Sequence, residues 1–193
     1  MIKAVIFDCF GVVVADALEV LGQEVRAKDP AAGRELSDVI GLHARGLISQ
    51  QESNERISKL LGLTIPEMIQ KIVEGEVKDW RLLEYIESLR ANYKTALLSN
   101  IGASGLQKRF EPHELERYFD VVVASGQIGF AKPEAQAYEI TAERLGVRLD
   151  ECVFTDDRQV YIDGAHAVGM QAILYSSLEQ FKRDIEPMLE SKA

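Results

Sequence analysis

Four short polar clusters in this chain hold residues able to act together, and each directly follows an apolar run. Asp8 follows Ala4-Val5-Ile6-Phe7, and Ser99-Asn100 closes Thr95-Ala96-Leu97-Leu98. Ser125 follows Val121-Val122-Val123-Ala124 with Lys132 a short loop later, and Thr155-Asp156-Asp157 follows Cys152-Val153-Phe154. Taken singly, each has an ordinary explanation. Asp-Asp after a strand is a common turn or helix cap, Ser-Asn is common turn chemistry, and loop lysines are usually solvated. Together they say more. Three carboxylates on one edge repel one another unless a cation lies between them. Oxygen-only ligands point to Mg²⁺, which leaves coordination positions for substrate phosphates. A hydroxyl, an amide and a lysine then supply the donors that a phosphoryl group demands.

The elements that must position these clusters follow from the spacing of apolar residues. β-rich runs occur at 4–7, 95–98, 121–124, 152–154 and 172–175, and helical patterns at 105–118, 133–145 and 160–168 separate the last four. Alternating strands and helices predict an α/β fold, a doubly wound, parallel, five-stranded Rossmann-like sheet. Pro133 is expected in the first turn of its helix, where a missing N–H costs nothing. In such sheets ligands bind at the carboxyl ends of the strands, where all four clusters fall.

Residues 15–80 carry no strand pattern, and their apolar residues recur every three or four positions, as in Leu36, Val39, Ile40 and Ile57, Leu60, Leu61. Ser49 with Glu52 and Thr64 with Glu67 read as capping boxes. A helix from Trp80 to Leu89 leads back to the second strand, and 178–191 reads as a last amphipathic helix. The expected organisation is therefore a Rossmann-like core from 1–14 and 81–193 with a helical cap subdomain, 15–80, inserted after the first strand. That placement allows the cap to close over the strand ends as a lid.

Composition sets the remaining bounds. The chain has 193 residues, 47% hydrophobic and 27% charged, enough for one good core with one inserted subdomain. A net charge of −9 argues against nucleic acid as a partner. No apolar run approaches the roughly 18 residues that span a bilayer, and the start lacks the features of a signal peptide. Cys9 and Cys152 lie in or beside strand-like runs, as expected of buried thiols in a reduced, cytoplasmic chain. Oligomeric state is left open.

At this point a resemblance is plain, and it covers the whole chain. Val5-Ile6-Phe7-Asp8 with Gly11-Val12-Val13, Leu97-Leu98-Ser99-Asn100, Lys132-Pro133 and Phe154-Thr155-Asp156-Asp157 resemble, in order, the four motifs of the haloacid dehalogenase superfamily. The insertion is similar to the helical cap of that family's first cap class, and Gly46-Leu47-Ile48-Ser49 with Glu52 to a common turn within it. The Asp-Asp and Ser-Asn pairs look most like the epoxide-hydrolase N-terminal-domain-type phosphatases and sugar-phosphate phosphatases.

The resemblance implies roles. Asp8 is the nucleophile that forms an aspartyl-phosphate, Ser99 and Asn100 hold phosphoryl oxygens, and Lys132 neutralises charge on Asp8 and on the substrate. Mg²⁺ is bound by Asp8, the backbone carbonyl of Phe10 and Asp157, with Asp156 behind them. Tyr161 stands where many members carry a further acid. The partner is a small phosphorylated metabolite.

Phe10 departs from the family's phosphatases, which usually place there an aspartate that protonates the leaving group. Phenylalanine keeps the carbonyl and removes the proton chemistry, typically worth about 10²–10⁴-fold. Acyl, enol and anomeric phosphates, whose leaving groups need a proton least, would suffer least. The reading is a Mg²⁺-dependent phosphatase. The alternatives are a silent phosphate- or metabolite-binding protein and a haloacid dehalogenase, which Asp156-Asp157 opposes. Phosphomutase chemistry leans hardest on the missing aspartate and is set aside. His43, His113 and His166 are expected to be structural or at the surface. Arg26, Arg45, Gln50 and Arg56 in the cap are expected to be mostly solvated.

Overall fold

The structure is a computed structural model that describes residues 1–190. Among these, five strands form one parallel sheet: β1 (Ala4–Phe7), β2 (Lys94–Ser99), β3 (Val121–Ala124), β4 (Cys152–Asp156) and β5 (Gln171–Leu174), in the order β3-β2-β1-β4-β5. β1 is central and wholly buried, which explains its unbroken apolar run. Alternate residues serve opposite faces. Val5 and Phe7 join α5 (Trp80–Leu89) and α10 (Leu178–Glu190) in one core, where Phe7 meets Phe181 edge-on at 5.5 Å. Ala4 and Ile6 face α8 (Ala135–Leu145) and α9 (Gln159–Ala167) in the other, where Tyr138 meets Phe154 at 5.4 Å. The sheet is thus doubly wound, and the crevice at its switch point lies beyond the carboxyl ends of β1 and β4.

Between β1 and α5 come four helices: α1 (Ala17–Lys28), α2 (Pro30–Ala44), α3 (Gln50–Leu61) and α4 (Ile65–Gly75). They bury an apolar cluster of their own around Leu36, Val39, Ile57 and Met68. The two chain segments that join them to the sheet lie side by side. The Ala15 N–H donates to Val77 O at 2.9 Å, and the Asp79 N–H donates to Val13 O at 2.9 Å.

Local signals came out unevenly. Thr64 and Glu67 form a complete capping box, whereas Ser49 accepts the Glu52 N–H while the Glu52 carboxylate turns to Arg56 at 3.6 Å. The helix expected at 105–118 is split into a 3-10 turn, Leu106–Lys108, and α6 (Pro112–Tyr118), and a single-turn helix, α7 (Ser125–Ile128), follows β3. Pro112 has no N–H to continue a helix, and it keeps Glu111 extended. Pro133 precedes its helix rather than opening it. There the Glu134 carboxylate accepts the Ala131 N–H at 2.8 Å and holds a turn before α8 starts at Ala135. The last residue of the helix expected at 178–191 lies outside the described residues.

Candidate active site

β1 ends at Asp8, whose N–H donates to Thr155 O of β4 at 2.9 Å, so the ladder carries the carboxylate to the edge of the sheet. The chain then turns sharply. Val13 and Val14 both donate to Cys9 O, and Gly11 takes φ +84°, a conformation that favours glycine. A side chain there is also excluded by space, since a Cβ on Gly11 would lie 2.2 Å from Asp157 Oδ2. The nucleophile-like loop and the Asp156-Asp157 end are fitted against each other at this glycine.

Lys132 sits at the centre, 2% exposed. Its Nζ lies 2.6 Å from Asp8 Oδ1 and 2.6 Å from Asp156 Oδ2, over the rings of Phe154 and Tyr161. Asn100 fixes its backbone. The Lys132 N–H donates to Asn100 Oδ1 and Asn100 Nδ2 donates to Lys132 O, both at 2.8 Å. Asn100 Nδ2 also reaches the Tyr161 hydroxyl at 3.3 Å. The Asn100 carboxamide, expected on phosphoryl oxygens, is therefore turned to Lys132. Ser99 at the end of β2 is fully buried, and its Oγ has no hydrogen-bond partner among the described residues. A buried hydroxyl left without a partner carries a desolvation cost that a ligand oxygen relieves.

Charge at the site is unbalanced. Asp8, Asp156 and Asp157 offer oxygens that all lie within 4.8 Å of one another, against the single positive charge of Lys132. Burial pushes the Asp8 carboxyl up, Lys132 opposes it, and Asp156 adds to the rise. Asp157 is pushed up to about 6 by burial, then by Asp156 and Asp16. Burial tends to lower the Lys132 ammonium, but the two carboxylates outweigh it and hold the group charged. A set of hard oxygen donors with excess negative charge fits Mg²⁺. Asp156 is committed to Lys132 and to the Arg158 N–H at 2.9 Å, which leaves Asp8 and Asp157 as the freer ligands.

Phe10 lines the same cavity, and its ring lies 5.0 Å from the Arg109 guanidinium carbon. Arg109 donates to Glu76 Oε1 at 2.6 Å and to Gly105 O at 3.0 Å. The Phe10 ring and the Arg109–Glu76 ion pair thus line the cavity together with Asp8.

Several cavity residues were not foreseen as such. His43 is half-buried and lines the cavity, and a Cβ on Gly102 would lie 2.5 Å from its Nε2. Arg45 bridges to Glu134 at 3.2 Å, and Ala44 O lies 2.5 Å from Ser125 Oγ, so the end of α2 is tied to the strand edge. Arg26 and Gln50 also line the cavity, as do Asp16 and Glu76 from the two joining segments. The trace of this in sequence is the small residues that lie against these side chains, Gly22 and Gly33 beside Arg26 and Gly102 beside His43. His113 and His166 are exposed, as expected.

Comparison with known proteins agrees with this architecture. A phosphatase of Mycobacterium tuberculosis, Phosphatase MT3486, is 38% identical over 92 residues, covering 46% of this chain and 41% of that protein. The phosphorylated carbohydrates phosphatase of Thermotoga maritima is 31% identical over 91 residues, 47% of this chain and 41% of its own length. The match thus spans about two fifths of each of these relatives. Among solved structures, a HAD family enzyme of Bacteroides thetaiotaomicron, BT-2542, superposes with a TM-score of 0.77 over 96% of this chain and 98% of that one, at 19% identity. Residues 2–169 match the family described as hydrolase, haloacid dehalogenase-like hydrolase. With four strand-end motifs converged on one edge and that family matched over most of its length, this chain belongs to the haloacid dehalogenase-like hydrolases.

Proposed function

We infer that this protein is a Mg²⁺-dependent phosphatase of small phosphorylated metabolites that works through an aspartyl-phosphate on Asp8. The observation that carries the reading is the buried clamp of Lys132 on Asp8 and Asp156 beside the unpartnered hydroxyl of Ser99. Asp156 and Asp157 gathered beside Asp8 oppose dehalogenation, which needs no metal, whereas metal-assisted phosphoryl transfer has a use for each of them. Two relatives bear phosphatase names, and BT-2542 has been solved in complex with magnesium and inorganic phosphate.

In this reading Lys132 aims Asp8, and its charge, together with Mg²⁺ when bound, would favour the ionised carboxylate against burial and Asp156. The free carboxylate oxygen attacks phosphorus in line. The bond from phosphorus to the leaving oxygen breaks, and that oxygen takes the electron pair. Water then attacks phosphorus and releases phosphate and the Asp8 carboxylate. Ser99 Oγ donates to a phosphoryl oxygen, and Asn100 acts by holding the Lys132 backbone. Asp8, the Phe10 carbonyl and Asp157 would hold Mg²⁺, which when bound offsets charge on the phosphoryl oxygens. Phe10 supplies no proton, so leaving groups that depart readily as anions are favoured. The α1–α4 layer serves as the cap that closes the cavity.

The test is Mg²⁺-dependent phosphate release from p-nitrophenyl phosphate, acetyl phosphate and a panel of sugar phosphates. Asp8→Asn is expected to lower every rate by at least about 10³-fold. No release from any of them, with release gained in Phe10→Asp, would replace the phosphatase by a phosphometabolite-binding protein.

A further inference from the structure

The cavity between the α1–α4 layer and the strand edge has a volume of about 680 Å³, far more than a phosphoryl group fills and within the range of sites for whole metabolites. Asp8, Ser99 and Lys132 line it from the sheet, and Glu19, Arg26 and Ser53 line it from the helices. Arg26 occupies a slot made by two glycines. A Cβ on Gly33 of α2 would fall 2.3 Å from Arg26 Cγ, and one on Gly22 of α1 would fall 3.2 Å from Arg26 Nη1. Neither glycine has a positive φ, so backbone conformation does not call for glycine at either place. Each also lowers helix propensity. Close approach of α1 and α2 accounts for Gly33, where a Cβ would fall 2.9 Å from Arg26 Cα. At Gly22 a Cβ would meet the ends of two side chains, Leu36 Cδ2 of α2 at 3.0 Å and the Arg26 guanidinium at 3.2 Å, so the packing of α2 and the lie of Arg26 both call for a small residue there.

The Arg26 guanidinium pairs with Glu19 Oε1 through Nη2. Its Nε and Nη1, and Glu19 Oε2, meet no partner among the described residues, and the Arg26 side chain keeps 33% exposure. Ser53 on α3 is 1% exposed and lines the same cavity. Free donors thus stand beside a free acceptor, with a further hydroxyl in the same wall. A ligand hydroxyl both donates and accepts, and suits such a pair. A second phosphate or a carboxylate would be opposed by the charge of Glu19.

We propose that Arg26, slotted between Gly22 and Gly33 beside Glu19, is a specificity-determining residue that reads the neutral, hydroxyl-bearing end of a phosphorylated polyhydroxy compound. The proposal rests on the phosphatase reading for which end of the ligand faces Asp8.

Its test uses the full chain as wild type, Arg26→Gln and Gly22→Ala, the last filling the slot while raising helix propensity. Initial rates with Mg²⁺ are measured on pentose, hexose and polyol monophosphates and on acetyl phosphate, which has no hydroxyl end. Both variants are expected to lower kcat/KM on the best polyhydroxy phosphate by about 10- to 100-fold, mainly through KM, and to leave acetyl phosphate within about twofold. Equal losses on both kinds of substrate, or no loss on either, would overturn the proposal. Titration calorimetry with the same phosphates and with inorganic phosphate separates the two readings. If the wild type hydrolyses nothing, the phosphatase reading fails. The subsite then stands if Arg26→Gln weakens binding of the polyhydroxy phosphate and not of inorganic phosphate, and falls if both are bound alike or neither is bound.

Discussion

At the scale of single residues, the site is organised by one buried cation. Lys132 is the counter-charge for Asp8 and Asp156, and the exposure of all three side chains is 8% or less. Removing one partner of a buried ion pair leaves uncompensated charge, which costs more than the pair itself contributes. Lys132→Met is therefore expected to lose about 3–5 kcal/mol of stability near neutral pH. Burial already raises the Asp8 carboxyl, and losing Lys132 raises it further. The folded state of the variant then binds a proton more tightly than the unfolded chain, so its stability falls as pH rises above the ordinary carboxylate value. Urea denaturation at pH 5 and pH 8 checks this, and a deficit larger at pH 5 would contradict it.

At the scale of elements, short hydrogen-bonded ties fix the strand ends against one another. Asn100 joins the end of β2 to the Lys132 loop, and Asp120 joins the start of β3 to β2 by accepting the Thr95 N–H at 2.8 Å. Asp120 also pairs with Arg90 at 2.8 Å. Burial would raise the Asp120 carboxyl, but the Thr95 N–H and then Arg90 outweigh it and hold it below its ordinary value. A depressed folded value means that the stabilisation is present above the unfolded value of about 3.9 and is lost as pH falls through the folded one. Asp120→Ala is expected to cost about 1–2 kcal/mol at pH 7, the partial exposure of the pair reducing its share, and progressively less below about pH 4. Denaturation midpoints of wild type and variant across that range should converge on acidification.

At the scale of the whole molecule, folding brings three carboxylates to one edge and closes a helical layer over them. Binding of a cation to the folded state alone stabilises it by mass action. Mg²⁺ at about 100 times its dissociation constant should add about 2.7 kcal/mol and raise the melting temperature by roughly 5–10 °C. Chelator should reverse the rise and Asp157→Ala should abolish it, with scanning calorimetry as the readout. An unchanged melting temperature would remove Asp8 and Asp157 as a metal site. What the sequence determined by itself was local. Unbroken apolar runs marked buried parallel strands, spacing of three or four marked the helices of 17–75, and four polar clusters at strand ends marked the edge where chemistry belongs. Helix starts near Pro112 and Pro133 were misplaced because a proline is compatible with both a first turn and the loop before it, and distant neighbours choose between them. Tertiary structure alone decided the pairings. Lys132 meets Asp8 across 124 positions and holds Asn100 across 32, Arg109 lies over Phe10, and Arg26 passes between glycines of two helices into the cavity. Periodicity encodes which face of an element is buried, whereas the partner of a charged side chain is set by how separately formed elements pack, and that depends on the volume left between them.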